Sequence, residues 1–257
     1  MPDTQLAVQL YTLRDYTKTA ADFDATCKKI ADQGWSAVQV SAIGPIDPAE
    51  VKKILDAHGL HCCATHERVH VDPDAIIEKQ KILGCDFTAI GGFFPDAGDF
   101  TAAKWGEFID MYNGVVDRYA DAGIKIGYHN HSHEWAKFDE GLDTKRPVDL
   151  LVEKLDSRVC FEWDTYWVAH GGGCPATWLS DHAGRVPVIH VKDMGIKPDR
   201  TQYMMEVGAG NLDWPGILEA AKAAGVQWYV VEQDTCYRDP FDSLATSLAN
   251  LKAMGLK

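Results

Sequence analysis

The stretch VPVIHVKDM, residues 186–194, determines how we interpret the fold. Its β-branched apolar residues, such as Val188 and Val191, are typical of a strand that is buried on both faces of a parallel sheet. Two polar residues interrupt this pattern, His190 and Lys192, and their spacing of two places both side chains on one face. Barrels of parallel strands hold their chemistry at the carboxyl ends of the strands. The stretch therefore predicts a functional site where this strand ends.

Seven more strands of the same kind, most of them followed by a helix, surround this stretch along the chain. The predicted strands cover residues 6–11, 35–40, 60–65, 87–90, 124–129, 159–164, 188–192 and 228–232. The predicted helices cover residues 19–33, 47–58, 73–83, 101–122, 147–155, a segment from 175, 214–224 and 239–254. This alternation predicts an α/β fold, a single (β/α)8 TIM barrel that forms one domain over residues 1–257. The rival is an open doubly wound sheet, but YTLRDYTK after the first strand lacks the glycine-rich turn which that fold requires.

Composition and charge exclude several classes of protein. The chain has 257 residues, of which 46% are hydrophobic and 25% charged, and this suffices for one large core. The formal net charge of −13 argues against a nucleic-acid partner, because binding to a phosphate backbone needs clustered Lys and Arg. We expect no membrane-spanning segment in the chain. We also expect no signal peptide, since MPDTQLAVQL does not resemble one. Seven scattered cysteines predict reduced thiols in a cytoplasmic protein, and a homo-oligomer is compatible with the sequence.

Polar residues cluster at the carboxyl ends of the predicted strands. They are Tyr11, His66, Glu67, His129, Asn130, His131, His133, Glu134, Asp164, His190, Lys192, Glu232, Gln233 and Asp234. Each alone could be a hydrogen-bonded core residue or a helix cap, but several acids at the ends of apolar strands are costly to bury without a shared cation. Imidazoles combined with carboxylates suit a divalent ion such as Mn, Co, Zn, Fe, Ni or Mg. The convergence predicts one bound divalent metal ion.

Other residues near the predicted mouth of the barrel are candidates for binding substrate. Lys192 lies one strand repeat beyond His190, so we expect it to contact a substrate oxygen or to stabilise an enolate. Tyr11 and His66 follow their strands, and Trp167 flanks the mouth, where an aromatic ring can stack on a sugar. The glycine-rich VGAGN, residues 207–211, lacks the Lys and Ser/Thr of a phosphate loop and is interpreted as a turn before a helix.

Five segments resemble, in order, the sugar phosphate isomerase/epimerase group of the xylose isomerase-like TIM barrel superfamily: YHNHSHEW, FEWDTYWVAHGGG, VIHVKDM, VGAGNLDWPGIL and WYVVEQD. The resemblance implies a barrel with one divalent metal ion held by strands five to eight. Asp164, His190 and Glu232 match the family's ligands on strands six, seven and eight. On strand five many relatives have Glu where this chain has His129. Either His129 or Glu134, five residues later, then supplies the fourth ligand.

The resemblance also extends to the endonuclease IV branch of the superfamily. That branch uses additional ligands for three zinc ions, among them a His shortly after the strand-six Asp. Here Asp164 is followed by Thr, Tyr and Trp. Together with the acidic net charge, the missing imidazole argues against DNA cleavage.

These observations lead to one functional hypothesis and its rivals. The hypothesis is a metal-dependent sugar isomerase or epimerase that acts on an unphosphorylated keto sugar or related polyol derivative. Glu232 or Glu134 would remove a proton next to the metal-polarised carbonyl, and Lys192 would hold the enediolate oxygen. Expulsion of a β-leaving group instead would give a lyase or dehydratase of the keto-inositol dehydratase or 3-keto-glycoside eliminase type. A non-catalytic sugar-binding barrel is the remaining rival.

Overall fold

Eight parallel strands close into a barrel in the structure, a computed structural model that describes residues 5–139 and 145–257. The barrel strands are β1 (Leu6–Gln9), β2 (Ala37–Val40), β3 (His61–His66), β4 (Phe87–Ile90), β5 (Lys125–His129), β6 (Cys160–Asp164), β7 (Val188–Val191) and β10 (Trp228–Val231). A separate antiparallel hairpin, β8 (Asp193–Ile196) and β9 (Gln202–Met205), lies between β7 and β10 in the chain. β10 pairs with β1 and with β7, which closes the barrel. The predicted (β/α)8 architecture is confirmed. Two ranges, residues 1–4 and 140–144, lie outside the described residues. The first is part of MPDTQLAVQL, where no signal peptide is expected.

Ten helices connect the strands in the described part of the chain. They are α1 (Ala20–Asp32), α2 (Pro48–Ala57), α3 (Pro73–Leu83), α4 (Ala102–Asn113), α5 (Val116–Asp121), α6 (Pro147–Lys154), α7 (Thr165–His170), α8 (Pro175–Asp181), α9 (Trp214–Ala224) and α10 (Pro240–Ala253). Asp72 and Asp213 cap α3 and α9 by accepting backbone N–H groups, and both helices end at a left-handed glycine, Gly84 and Gly225. None of these helices has the length and apolarity that a bilayer crossing requires.

Two predicted elements differ from the structure. The helix predicted over residues 101–122 is two helices, α4 and α5. The α-helical hydrogen-bond pattern is interrupted after Gly114, a residue that weakens helices, and the Val115 N–H donates to the carbonyl of Tyr112, three residues back, at 3.3 Å. Tyr11 was expected within the first strand. The chain instead turns into a 3₁₀ helix after β1, and the Gln9 side chain accepts the Tyr11 N–H at 3.2 Å.

The hairpin of β8 and β9 and the short helix α7 were not predicted. Asp193, expected to follow the strand end, starts β8 and is fully buried. Its Oδ2 accepts hydrogen bonds from the backbone N–H of Gly208 at 2.8 Å and of Gly210 at 3.0 Å, and from the Trp214 indole at 2.6 Å. A Cβ on Gly210 would collide with the Asp193 carboxylate, so glycine is required there. The VGAGN turn is thus confirmed as a turn that leads into α9.

The interior of the barrel is layered, and this layering positions the polar residues. Inward-facing residues at the amino-terminal end are small or apolar, among them Ala7, Ala37 and Val188. One strand repeat further on, the same face carries polar side chains such as Gln39 and His190, both fully buried. The carboxyl end of the barrel is therefore polar inside, while the outward faces of the strands pack against the helices.

Candidate metal centre and substrate pocket

His190 lies near the centre of the polar layer and is fully buried. Its Nδ1 is 2.9 Å from Oε2 of Glu232 and 3.7 Å from Oδ2 of Asp164. Its Nε2 is 2.7 Å from Oε1 of Gln39. Strand periodicity produces this arrangement, since β6 and β10 are the neighbours of β7. Asp164 is in register with His190, and Glu232 lies one strand repeat beyond Val230, the residue of β10 that is in register with His190.

Lys192 is also fully buried, and three carboxylates surround its ammonium. Nζ lies 2.7 Å from Oε2 of Glu232, 2.9 Å from Oδ2 of Asp164 and 3.1 Å from Oδ1 of Asp234. Burial alone would lower the pKa of Lys192, but these carboxylates raise it well above its ordinary value. The lysine is therefore a positive charge held among acids.

Glu162 is a buried carboxylate that the sequence reasoning missed. It lies on β6 one strand repeat before Asp164, so the alternation in FEWD was a signal that could have identified it. Its Oε2 is 2.6 Å from Nε2 of His66, and its Oε1 is 2.8 Å from Nε2 of Gln39. Burial would raise the pKa of Glu162, but the neighbouring imidazoles of His190 and His66 lower it to about 2.

Among residues 5–139 and 145–257, two overlapping sets of side chains could hold a metal ion, each with ligand atoms within 4.8 Å of one another. We call His129, Asp164, His190 and Glu232 the mouth group, and His66, His129, Glu162 and His190 the inner group. Both sets combine imidazoles with carboxylates, a donor set that fits a borderline divalent ion.

Two buried atoms in these groups support the fit to a cation. Within the described ranges, Nδ1 of His129 and Oδ2 of Asp164 have no hydrogen-bond partner, although Lys192 forms an ion pair with the latter. Burial lowers the pKa of His129 well below its ordinary value, which keeps its imidazole neutral, and neutral imidazole is the form that binds metal.

Glu134, the other strand-five alternative, lies outside both groups. Its Oε1 accepts the Tyr128 hydroxyl at 2.7 Å, and its Oε2 accepts the backbone N–H of His131 at 2.9 Å. Burial raises the pKa of Glu134 to about 8. The structure thus brings His129 to the cluster and places Glu134 in a local hydrogen-bond network.

A cavity of about 350 Å³ opens at the carboxyl end of the strands, above the mouth group. Its lining residues are Tyr11, Ser41, Ala42, His66, Gly91, Phe94, His129, His131, Glu232 and Asp234. Among the predicted substrate-binding residues, Tyr11 and His66 line it. Trp167 and Lys192 are not in the lining, but each contacts a lining residue: the Trp167 ring lies 5.3 Å from that of His131, and Lys192 pairs with Glu232. Burial and the nearby Glu232 raise the pKa of Asp234 to about 6. No sequence signal pointed to Ser41 or Ala42.

A larger cavity of about 560 Å³ lies at the opposite end of the barrel. Apolar residues such as Ile124 and Val186 form much of its wall, with Arg158 at its edge. Neither metal-binding group borders it. Size alone does not identify a reactive site, and the converging carboxylates and imidazoles favour the smaller cavity.

Residues 27–254 match the family model of the xylose isomerase-like TIM barrel. The chain belongs to this family. Among relatives, it is 24% identical to an inosose dehydratase of Klebsiella pneumoniae over 86% of each chain. It is 30% identical to an inosose dehydratase of Geobacillus thermodenitrificans, but that match covers 56% of this chain and about half, 52%, of the relative. A solved structure described as a sugar phosphate isomerase/epimerase from Parabacteroides distasonis superimposes with a TM-score of 0.79 at 22% identity, covering 100% of this chain and 96% of the other.

Proposed function

We propose that this chain is a divalent-metal-dependent dehydratase that acts on a keto-cyclitol or a related polyhydroxy ketone. The observation that carries the proposal is the asymmetry of the cavity. Glu232 and Asp234 line it from the end of β10, next to the Lys192 ammonium, whereas imidazoles, including that of His66, line it from β3 and β5, across the barrel from β10. One side can accept a proton and the other can donate one, as elimination of water requires. The similarity to inosose dehydratases over most of the chain supports the same reaction.

The mouth group is our candidate for holding the metal. A divalent ion bound there would act as a Lewis acid that polarises the substrate carbonyl and makes the adjacent C–H acidic. Asp164 of β6, His190 of β7 and Glu232 at the end of β10 would be its ligands, with His129 of β5 as the fourth. The metal could be Mn, Co, Zn, Fe, Ni or Mg.

The side chains around the cavity can carry out the remaining steps. A cavity carboxylate, Glu232 or Asp234, accepts the proton from the carbon next to the carbonyl, and Lys192 donates a hydrogen bond to the oxygen that gains charge. The electron pair of the broken C–H bond forms a C=C bond, and the C–O bond at the next carbon breaks. His66, oriented by its hydrogen bond to Glu162, gives a proton to the departing hydroxide, which leaves as water. The product is an enol-ketone, which can tautomerise to a diketone.

Epimerisation of a keto sugar is the second candidate and shares the first proton transfer. The observation that favours it is that proton-transfer groups face the cavity from two sides, Glu232 or Asp234 opposite His66. Returning the proton from the second side to the same carbon would invert that carbon without loss of water.

Incubation of the Mn- or Co-loaded protein with keto-cyclitols and ketohexoses in heavy water would test both candidates. A dehydratase should release water and form a conjugated product that absorbs in the ultraviolet. An epimerase should place deuterium on the inverted carbon without that absorbance. Asp164→Asn should abolish either reaction, whereas the exposed control Asp199→Asn should not. Absence of both proton exchange and product formation with the loaded protein would overturn the proposal.

A further inference from the structure

Three buried side chains form a continuous hydrogen-bonded chain inside the barrel. Nε2 of Gln39 lies 2.8 Å from Oε1 of Glu162, and Oε1 of the same amide lies 2.7 Å from Nε2 of His190. All three side chains are fully buried. Gln39 therefore links the carboxylate of the inner group to His190, one of the two imidazoles that both groups share.

The chemistry of the amide gives this chain a single direction. The Glu162 carboxylate can only accept hydrogen bonds, so it must receive one from the Gln39 NH₂. The Gln39 carbonyl then faces His190 and can only accept. Nε2 of His190 must therefore carry a hydrogen and donate it. The reversed amide would place two acceptors against each other, on Gln39 and on Glu162.

The two nitrogens of His190 consequently have different roles. Nε2 is occupied as a donor to Gln39, and Nδ1 faces Glu232 and Asp164, both members of the mouth group. Among the described residues, Oδ2 of Asp164, next to Nδ1, has no hydrogen-bond partner besides its ion pair with the Lys192 ammonium at 2.9 Å. By contrast, the Glu162 oxygens of the inner group already accept from Gln39 and His66.

We infer that Gln39 is a positioning residue that keeps a hydrogen on Nε2 of His190. A divalent ion can then bind His190 only through Nδ1. Because Nδ1 faces Glu232 and Asp164, the ion binds in the mouth group and not in the inner group. This inference rests on the proposed metal-dependent function and deepens it. A residue that accepts a hydrogen bond from the second nitrogen of a metal-bound imidazole fixes the tautomer and the orientation of the ring. Loss of such a residue typically lowers metal affinity about 10- to 100-fold.

Nuclear magnetic resonance of the [¹⁵N]histidine-labelled protein loaded with ¹¹³Cd tests this directly. The His190 signals are assigned by their absence in His190→Gln. We expect one-bond coupling between cadmium and Nδ1 of His190, while Nε2 retains its hydrogen. Coupling to Nε2 instead would overturn the inference. The coupling is measured on the unaltered sequence, and His190→Gln serves only to assign the signals.

The variant Gln39→Met removes the acceptor and keeps the side-chain length. We expect its dissociation constant for Cd to rise about 10- to 100-fold and the Nε2–H signal of His190 to be lost. Gln80→Met is the matched control, because Gln80 is a buried glutamine that donates to Thr65 and touches neither metal-binding group. An unchanged affinity and spectrum in Gln39→Met would overturn the inference.

The failure of this inference can be separated from failure of the proposed function. If one equivalent of cadmium binds through Nε2 and the Mn-loaded protein still dehydrates its substrate, only the role of Gln39 is wrong. If the unaltered protein binds no cadmium, the inference and the metal part of the proposed function are both wrong.

Discussion

The ammonium nitrogen of Lys192 lies 2.7 Å from Oε2 of Glu232, and both side chains are buried in the polar layer of the barrel. Nζ lies 2.9 Å from Oδ2 of Asp164 as well, so two candidate metal ligands already share one positive charge. A divalent ion in the mouth group and the Lys192 ammonium would therefore neutralise the same carboxylates. This relationship has a measurable consequence.

Replacing Lys192 by Met should destabilise the metal-free protein, because it leaves buried carboxylates without their counter-ion. Loss of one partner of a buried ion pair costs about 3–5 kcal/mol. Added Mn should then raise the Tm of Lys192→Met more than that of the unaltered protein, since the ion replaces the missing charge. Thermal unfolding with a chelator and with Mn measures both effects. Lys28→Met, which removes an exposed pair with Asp32, should behave like the unaltered protein. An equal gain from Mn in Lys192→Met and the unaltered protein would contradict the shared-carboxylate arrangement.

The strand-five ligand can be assigned with a pair of variants. His129→Ala removes a member of both candidate groups, so its affinity for Mn or Co should fall at least about 10-fold. Glu134→Gln should retain the metal, because Glu134 is bonded to Tyr128 and His131 outside the groups. Calorimetric titration compares the two variants. The opposite result, with metal binding lost only in Glu134→Gln, would make Glu134 the ligand.

Glu134 should also give the fold a defined pH dependence. Its pKa is raised by burial from the ordinary 4.5 to about 8. The folded state keeps a proton that the unfolded chain releases above pH 4.5. The contribution of the Glu134 carboxyl to the free energy of unfolding is therefore full below pH 4.5 and is lost as the pH rises through 8. Glu134→Gln cannot ionise, so its Tm relative to the unaltered protein should improve between pH 5 and pH 8.

Thermal unfolding in the presence of a chelator at several pH values measures this trend without interference from metal. Glu219→Gln, a change of the same type at an exposed position, is the control and should track the unaltered protein. A Tm difference for Glu134→Gln that stays constant from pH 5 to pH 8 would show that Glu134 is not held protonated.

Asp193 should be essential for stability and not for metal binding. Oδ2 of Asp193 accepts hydrogen bonds from Gly208, Gly210 and Trp214, and its Oδ1 accepts from Met194 and Leu212. In Asp193→Asn an NH₂ group replaces one of these two oxygens, so one set of hydrogen bonds is lost. We expect a loss of about 3 kcal/mol in the free energy of unfolding, as hydrogen bonds to a buried charge are each worth about 1.5–3 kcal/mol. Urea denaturation measures it, with Asp199→Asn as control, since Asp199 is exposed and accepts one backbone N–H. An intact unfolding energy, or a loss of metal affinity instead, would contradict this role.

Strand periodicity explains why much of the site could be predicted. Asp164, His190 and Glu232 lie on inward faces of consecutive barrel strands, and a spacing of two fixes which face each residue occupies. The meeting of these side chains follows from the closure of the barrel. Lys192 was identified by the same spacing from His190.

The missed residues carry weaker signals. Gln39 is an uncharged amide within an apolar strand, and nothing in its neighbourhood along the chain indicates that it will meet Glu162 and His190. The position of Glu134 depends on a hydrogen bond to Tyr128, a tertiary contact that spacing does not define. β8 follows β7 after a single residue, so the sequence pattern merged the end of the barrel strand with the start of the hairpin.

Elemental analysis of the purified protein beside the double variant Asp164→Ala/His190→Ala tests the central claim most directly. We expect one equivalent of a divalent metal in the unaltered protein and its loss in the variant, with the folded state of the variant verified by circular dichroism. If the unaltered protein contains no metal and takes up none after incubation with Mn or Co, the strand-end cluster is structural and metal-dependent dehydration is contradicted.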